Sequence, residues 1–327
     1  METKPVKNNF YKNNGVTIAV CTYNRKDLLH FCLKSILNQI KNKNNFELLI
    51  IDDHSTGNTK KYITKLSKKY KNIRYFFYDK NVPVSTLRNK AIALSKYNFL
   101  LYLDDDVILS KNYIKSLLQI IKKTNKIAIF GGPIVPMISK NVNKNNVPTW
   151  FTNNIKRGCA YAYLYWKEEV KDLVFPESLH TANCILNLRL LGSNAYFDKQ
   201  FGESDKRKIV GEDVELCWRA IKNNLLVKYF KRLEVLHQIP SSKISKKYIF
   251  KKNIIWGKTE AKLHHMFIQN RIILMNNIKD KLINILFTTK ILVFNFLQAK
   301  SNYYLLSKSL YNLSYIFTSI KIFLSRY

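Results

Sequence analysis

No Cys-x-x-Cys pair occurs in this sequence, and its five cysteines (Cys21, Cys32, Cys159, Cys184 and Cys217) are scattered and odd in number. That pattern argues against a disulfide framework and a cysteine-bound zinc site, and it fits a reducing compartment. There is no Gly-x-x-x-x-Gly-Lys-Ser/Thr loop and no Gly-x-Gly-x-x-Gly. Their absence counts against a P-loop nucleotidase and a dinucleotide dehydrogenase. A Gly-x-Ser-x-Gly hydrolase elbow is missing too. Long apolar runs are lacking: residues 282–297 are interrupted by Lys290, and residues 303–324 carry Lys308 and Lys321. Both stretches read as amphipathic helices rather than membrane spans. The Lys/Asn-rich N-terminus has no apolar core, so no secretory signal is expected.

Acids are scarce as well, 22 against 55 basic residues, for a formal net charge of +33. Such an excess points to nucleic acid or an anionic membrane, or it reflects the Lys, Asn, Ile and Tyr enrichment of an AT-rich coding sequence. The lysines are spread along the whole chain rather than gathered on one aromatic-interleaved stretch, so no nucleic-acid partner is expected.

What is present is a folded chain of 327 residues with 46% hydrophobic and 13% aromatic content. Residues 1–14 read as a disordered basic tail. From there to about residue 130, short apolar strands alternate with amphipathic helices. Strands are expected over 16–21, 46–51, 73–78, 99–103 and 127–130, and helices over 28–40, 59–70, 85–95 and 111–123. That alternation predicts an α/β fold with a mostly parallel sheet, whose ligands bind outside the carboxyl ends of the strands. Residues 136–176 read as loops with a small antiparallel element, 211–223 as a helix opened by acids, and 226–230 and 235–236 as strands. The domain expected over residues 15–240 is followed by a basic helical region, 241–327, whose only acids are Glu260 and Asp280. Those helices either lie on an anionic membrane surface or pack on the main domain.

The chemistry gathers at the predicted strand ends. Phe99-Leu100-Leu101-Tyr102-Leu103 runs into Asp104-Asp105-Asp106. Stacked carboxylates repel unless something positive sits among them, and a divalent metal carrying a phosphorylated ligand is the natural candidate. Alternation along a strand would put Asp104 and Asp106 on one side. Asp53 ends the second strand, where a carboxylate can bond a base N–H or a ribose hydroxyl. Thr22 and Tyr23 follow the first strand, and Tyr23 can stack on a base. Arg88 either pairs with a donor phosphate or braces the aspartates. Glu212-Asp213 opens a helix, as caps or as a general base. His237 is a candidate metal ligand.

These segments together resemble the family 2 glycosyltransferases of the GT-A fold. The likeness rests on Val16-Thr17-Ile18-Ala19-Val20-Cys21-Thr22-Tyr23-Asn24, Leu48-Leu49-Ile50-Ile51-Asp52-Asp53-His54-Ser55, Leu87-Arg88-Asn89-Lys90-Ala91-Ile92, Leu101-Tyr102-Leu103-Asp104-Asp105-Asp106 and Gly211-Glu212-Asp213-Val214-Glu215-Leu216-Cys217-Trp218-Arg219. It implies a Rossmann-like GT-A domain with a C-terminal helical extension. It also implies metal-dependent, inverting transfer of a sugar from a nucleotide-sugar, a uridine diphosphate sugar foremost, to a hydroxyl of a glycan or lipid-linked acceptor. Thr22, Tyr23, Asp53, Arg88, Asp104 and Asp105 would contact the donor. Asp104, Asp106 and His237 would hold Mn²⁺ or Mg²⁺, and Asp213 would be the catalytic base. Asn183, Glu212 and Trp150 would lie on the acceptor side. Asn183 is placed there although the family's usual Gly-x-Asn-Met-Ala-Phe-like segment reads Thr181-Ala182-Asn183-Cys184-Ile185-Leu186 here. No Gln-x-x-Arg-Trp motif occurs, which favours single addition over processive synthesis. A cytoplasmic enzyme, peripheral on the inner face of the plasma membrane, fits this reading. A nucleotidyltransferase and a basic surface-binding protein are the alternatives.

Overall fold

A computed structural model describes residues 12–325, apart from 42, 124–125, 141, 153–154, 157–159, 205–207 and 298–302. The expected tail therefore falls largely outside the described residues, as does Cys159. Cys21, Cys32, Cys184 and Cys217 are free thiols.

The chain runs β1 (Lys12–Thr22), α1 (Lys26–Ile40), β2 (Phe46–Asp52), α2 (Asn58–Lys69), β3 (Ile73–Phe77), α3 (Val84–Leu94), β4 (Tyr97–Asp104) and β5 (Val107–Leu109). It continues with α4 (Tyr113–Lys123), β6 (Ile127–Gly131), β7 (Ile134–Ile138), α5 (Thr149–Thr152), β8 (Val170–Asp172), β9 (Asn183–Asn187) and α6 (Leu188–Leu191). The remainder is α7 (Glu212–Lys222), β10 (Leu226–Phe230), β11 (Val235–Ile239), α8 (Lys246–Phe267), α9 (Arg271–Leu297) and α10 (Tyr303–Leu324).

The chain divides into two compact units. The first holds residues 1–137, 164–207 and 212–238. Among its described residues an eight-stranded sheet has the order β3-β2-β1-β4-β9-β6-β10-β8. β3, β2, β1 and β4 are mutually parallel, which requires crossovers, and α1, α2 and α3 supply them. Every residue of β2 is buried, as are the first seven of β4, so these strands are apolar runs rather than alternating ones. α1 buries Leu29, Cys32, Leu33, Ile36 and Ile40 at helical spacing. Near the middle of the sheet β9 runs antiparallel to both β4 and β6. No strand is expected there from the sequence pattern. A second sheet of three strands, β5-β11-β7, branches off where β4 ends.

The second unit holds residues 138–163, 208–211 and 239–327, with α8, α9 and α10 as its bulk. Among the described residues no helix is long and apolar enough to cross a membrane.

Candidate active site

The strand registers set Thr22 beside Asp52 and Cys21 beside Asp104, so the ends of β1, β2 and β4 form one edge. Asp52 is used by its own turn: it accepts from Ser55 N–H and from Tyr75 O–H, both at 2.8 Å. Asp53 faces differently and accepts from Asn81 Nδ2 (2.5 Å) and Val82 N–H (2.8 Å), tying the loop before α3 to the strand end. Tyr23 is 38% exposed at the end of β1, open for a flat ring to lie on.

The three aspartates diverge. β4 stops at Asp104 and the chain turns at Asp105 and Asp106 before β5 begins. Strand alternation therefore no longer applies, and Asp104 and Asp106 do not share a side through it. Asp104, 41% exposed at its side chain, leans on Arg88 Nη2 at 3.4 Å. Asp105 is buried and accepts from Thr22 Oγ1–H at 2.7 Å. Arg25 Nη1 lies 3.0 Å from Asp105 Oδ1 and 3.3 Å from Asp106 Oδ2. Burial pushes the Asp105 carboxyl up, Arg25 pulls it back, and the neighbouring Asp106 raises it further. The positive charge that the acidic run demanded is thus partly supplied by the protein, through Arg25 and Arg88.

Antiparallel pairing of β11 with β5 puts His237 opposite Val107, next to Asp106. Gln238 N–H donates to the Asp106 carbonyl at 2.7 Å, and His237 Nε2 stands 3.3 Å from Asp106 Oδ1. Both side chains are buried. One carboxylate oxygen and one imidazole nitrogen at this spacing fit neighbouring positions around Mn²⁺ or Mg²⁺, ions that typically keep further positions for phosphate oxygens and water. The expected three-ligand set is not formed. Among the described residues no group of three or more His, Cys, Asp or Glu is arranged to hold a metal. Asp104 leaves the set because it turns to Arg88.

Asp213 and Glu212 open α7, where the helix dipole favours negative charge. Glu212 does not face an acceptor: it is buried and ion-paired with Arg88 Nη1. Burial pushes its carboxyl up and Arg88 holds it down. Arg88, itself buried on α3, thereby joins the acidic end of β4 to the start of α7. Asp213 Oδ2 accepts from Thr181 N–H at 3.2 Å and lies 3.5 Å from His180 Nδ1. Burial opposes the charge on Asp213, yet His180, Arg88 and the Thr181 N–H together bring its pKa down to about 2. The same partnership raises His180 against its own burial.

The Asn183 side chain is committed to the fold rather than offered to an acceptor. It is fully buried in β9, its Nδ2 donates to the Pro133 and Leu233 carbonyls, and its Oδ1 accepts from Tyr113 O–H. No polar atom of its side chain is left for a sugar. Trp150 falls in the second unit, its ring 5.0 Å from that of Tyr303 and its carbonyl accepting from Tyr303 O–H.

Two family models match the chain: Glycosyl transferase family 2 over residues 17–176 and Glycosyl transferase family group 2 over residues 99–324. The chain belongs to the family 2 glycosyltransferases. It is 33% identical to the poly(ribitol-phosphate) beta-N-acetylglucosaminyltransferase TarP of Staphylococcus aureus over 118 residues, 36% of each chain. It is 26% identical to a dolichyl N-acetyl-alpha-D-glucosaminyl phosphate 3-beta-D-2,3-diacetamido-2,3-dideoxy-beta-D-glucuronosyltransferase of Methanococcus voltae, over 74% of this chain and 77% of that one. The matches span between 14% and 36% of the length of three curated relatives, TarP among them. In fold, this glycosyltransferase superposes on the mannosyltransferase PcManGT of Pyrobaculum calidifontis, solved with GDP-Man and Mn²⁺. The TM-score is 0.60 at 12% identity, covering 94% of this chain and 88% of that one. The expected GT-A architecture is the one found. The nucleotidyltransferase alternative loses its footing.

Sequence alone assigns no role to Arg25 or His180. Arg25 had a signal, since it follows Thr22-Tyr23-Asn24 at a strand end. His180 had none, because it precedes a strand that the pattern did not reveal. In a His180→Gln variant, losing the hydrogen bond and charge raises the Asp213 pKa. The acid limb of its kcat/KM–pH profile then moves to higher pH than that of the wild type. A limb that stays in place would separate His180 from the base.

Proposed function

We propose that this glycosyltransferase moves a sugar from a nucleotide diphosphate donor, a uridine diphosphate sugar foremost, to a hydroxyl of a glycan or lipid-linked acceptor, inverting the anomeric carbon. The observation that carries this reading is the Arg88 bridge. One buried guanidinium touches Asp104 at the end of β4 and Glu212 beside Asp213, so donor-side acids and candidate base share one locus.

Asp213, already ionised at neutral pH, takes the proton of the acceptor hydroxyl. A carboxylate this acidic is a weak base towards a resting alcohol. Its uptake of the proton therefore falls late, when the new carbon–oxygen bond has begun to form and the alcohol has become acidic. The acceptor oxygen bonds to the anomeric carbon from the face opposite the nucleotide, and the bond to the diphosphate oxygen breaks with its electron pair. Tyr23 offers a stacking face for the base, and Asp53 an acceptor for a pyrimidine N–H. Arg25 and Arg88 hold Asp104, Asp105 and Asp106 in place. Asp106 and His237 would hold the divalent ion, whose chemistry is to offset charge on the departing diphosphate. The lipid-linked acceptor class named for the M. voltae relative supports the acceptor reading, and the Mn²⁺ of the PcManGT complex supports the ion.

A thermal-shift panel of UDP-glucose, UDP-N-acetylglucosamine, dTDP-glucose and GDP-mannose, each with and without Mn²⁺, tests the proposal. A donor present at about a hundred times its Kd stabilises by about 2.7 kcal/mol. The expected result is a shift with a uridine diphosphate sugar that Mn²⁺ enlarges, and no Mn²⁺ increment in Asp106→Asn. Stabilisation by GDP-mannose alone would overturn the uridine assignment. No shift with any of the four would overturn the donor reading.

A further inference from the structure

The last helix has inverted polarity. α10 turns Ser307, Ser309, Asn312, Ser314 and Ser319 inward with Tyr315 and Ile316. Ser314 Oγ donates to the Ile254 carbonyl of α8 at 2.8 Å, and Ser309 Oγ shares a hydrogen bond with Thr288 Oγ1 of α9 at 2.8 Å. Gly257 permits this approach, since a Cβ there would collide with Ser314 and the Tyr311 carbonyl. The apolar residues go the other way. Leu306, Leu313, Phe317, Ile320 and Leu324 form one outward stripe on α10, with Phe317 69% and Leu324 71% exposed.

α9 carries an outward apolar stripe as well, although its inward face is mainly apolar. Leu274, Ile278 and Thr288 face inward, while Ile272, Met275, Leu282, Ile283, Leu286 and Phe287 are exposed, Leu286 by 72%. Lys279 and Lys290 are exposed within that stripe and Lys321 within the one on α10. Asp280 is the single acid on either helix among the described residues. A soluble surface helix has the opposite layout, and contiguous exposed apolar stripes of this kind mark an interaction surface.

We infer that the outward faces of α9 and α10 dock in the plane of an anionic lipid bilayer, their Leu, Ile and Phe side chains at the acyl boundary and their lysines among the headgroups. Charge decides between lipid and a second copy of the chain. A symmetric dimer through these stripes brings lysines against lysines with no acid but Asp280 to receive them, whereas acidic headgroups complement them. Apolar area and basic charge on one helix face are the two components of interfacial binding. This inference stands independently of the sugar-transfer reading.

The test is flotation of the full chain with phosphatidylglycerol–phosphatidylcholine vesicles and with phosphatidylcholine vesicles. The wild type is expected to float with the anionic vesicles and roughly tenfold less with the neutral ones or at high salt. A Phe287→Glu/Phe317→Glu variant, altered only at exposed positions, is expected to stay at the bottom with an unchanged circular dichroism spectrum and melting curve. Three outcomes overturn the inference: wild type left at the bottom with anionic vesicles, the variant floating like wild type, or a wild-type dimer in solution that the variant converts to monomer.

Discussion

An Asp213→Asn enzyme is expected to lose about a hundredfold to ten-thousandfold in kcat while keeping its fold and its donor affinity. The size follows from what a positioned general base contributes. The selectivity follows from the geometry. Asparagine is isosteric with aspartate, and its amide oxygen still accepts the Thr181 N–H that fixes the side chain at the start of α7. His180 loses its charged partner and becomes less readily protonated. Nothing on the β1, β2 and β4 ends changes, so the thermal shift given by the donor should persist. Transfer of radiolabel from nucleotide-sugar to acceptor, measured beside that shift, separates chemistry from binding. Transfer within tenfold of the wild type would remove Asp213 from the role of base.

The second large effect is on stability. Arg88→Met is expected to destabilise the first unit by about 3–5 kcal/mol, because it strands Glu212 as an uncompensated buried carboxylate. Glu212 is buried, and its carboxyl is already pushed up with Arg88 in place. Without the guanidinium, its pKa in the folded state rises further above the unfolded value. An acid with a raised folded pKa costs stability as pH rises from the unfolded towards the folded pKa. The deficit of Arg88→Met should therefore shrink on acidification below neutral pH. Adding Glu212→Gln should recover much of the loss, since removing both charges together is far less costly than removing one. Melting curves of the wild type, both single variants and the double variant check this. If the second substitution recovers nothing, the pair is not what holds Arg88 in place.

The parallel half of the sheet was readable because each strand is a short apolar run that ends on polar residues. Buried strands with helical crossovers leave that imprint locally. Thr22, Asp53 and Asp104 could be placed at one edge for the same reason. β9 was not readable as a strand: its five residues reverse direction between β4 and β6, a long-range choice with no local marker. The role of Asn183 rests on the resemblance alone, which gives no sign that its side chain is used up by the fold. Asn183 is a strand residue whose amide serves two carbonyls and a tyrosine hydroxyl. The pairing of Asp106 with His237 depends on the β5–β11 ladder, which joins segments far apart in sequence. Glu212 was misread because its ion pair with Arg88 is tertiary, and a carboxylate at a helix start gives no sign of which way it points. The terminal helices showed their mixed composition but not which face turns inward.

The antiparallel insertion of β9 also bears on how the chain comes off the ribosome. β4 and β6 are both synthesised well before Asn183–Asn187, yet each needs that segment to complete its hydrogen bonding. Until it arrives, the nascent domain carries one bare border on β4 and two on β6, whose other neighbour, β10, is made later still; such apolar borders are the kind of template on which neighbouring chains recruit one another. The interval of translation from residue 131 until β9 and then β10 are made is thus when this protein most needs a chaperone, and fragments ending between residues 131 and 183 should be insoluble whatever their own sequence favours.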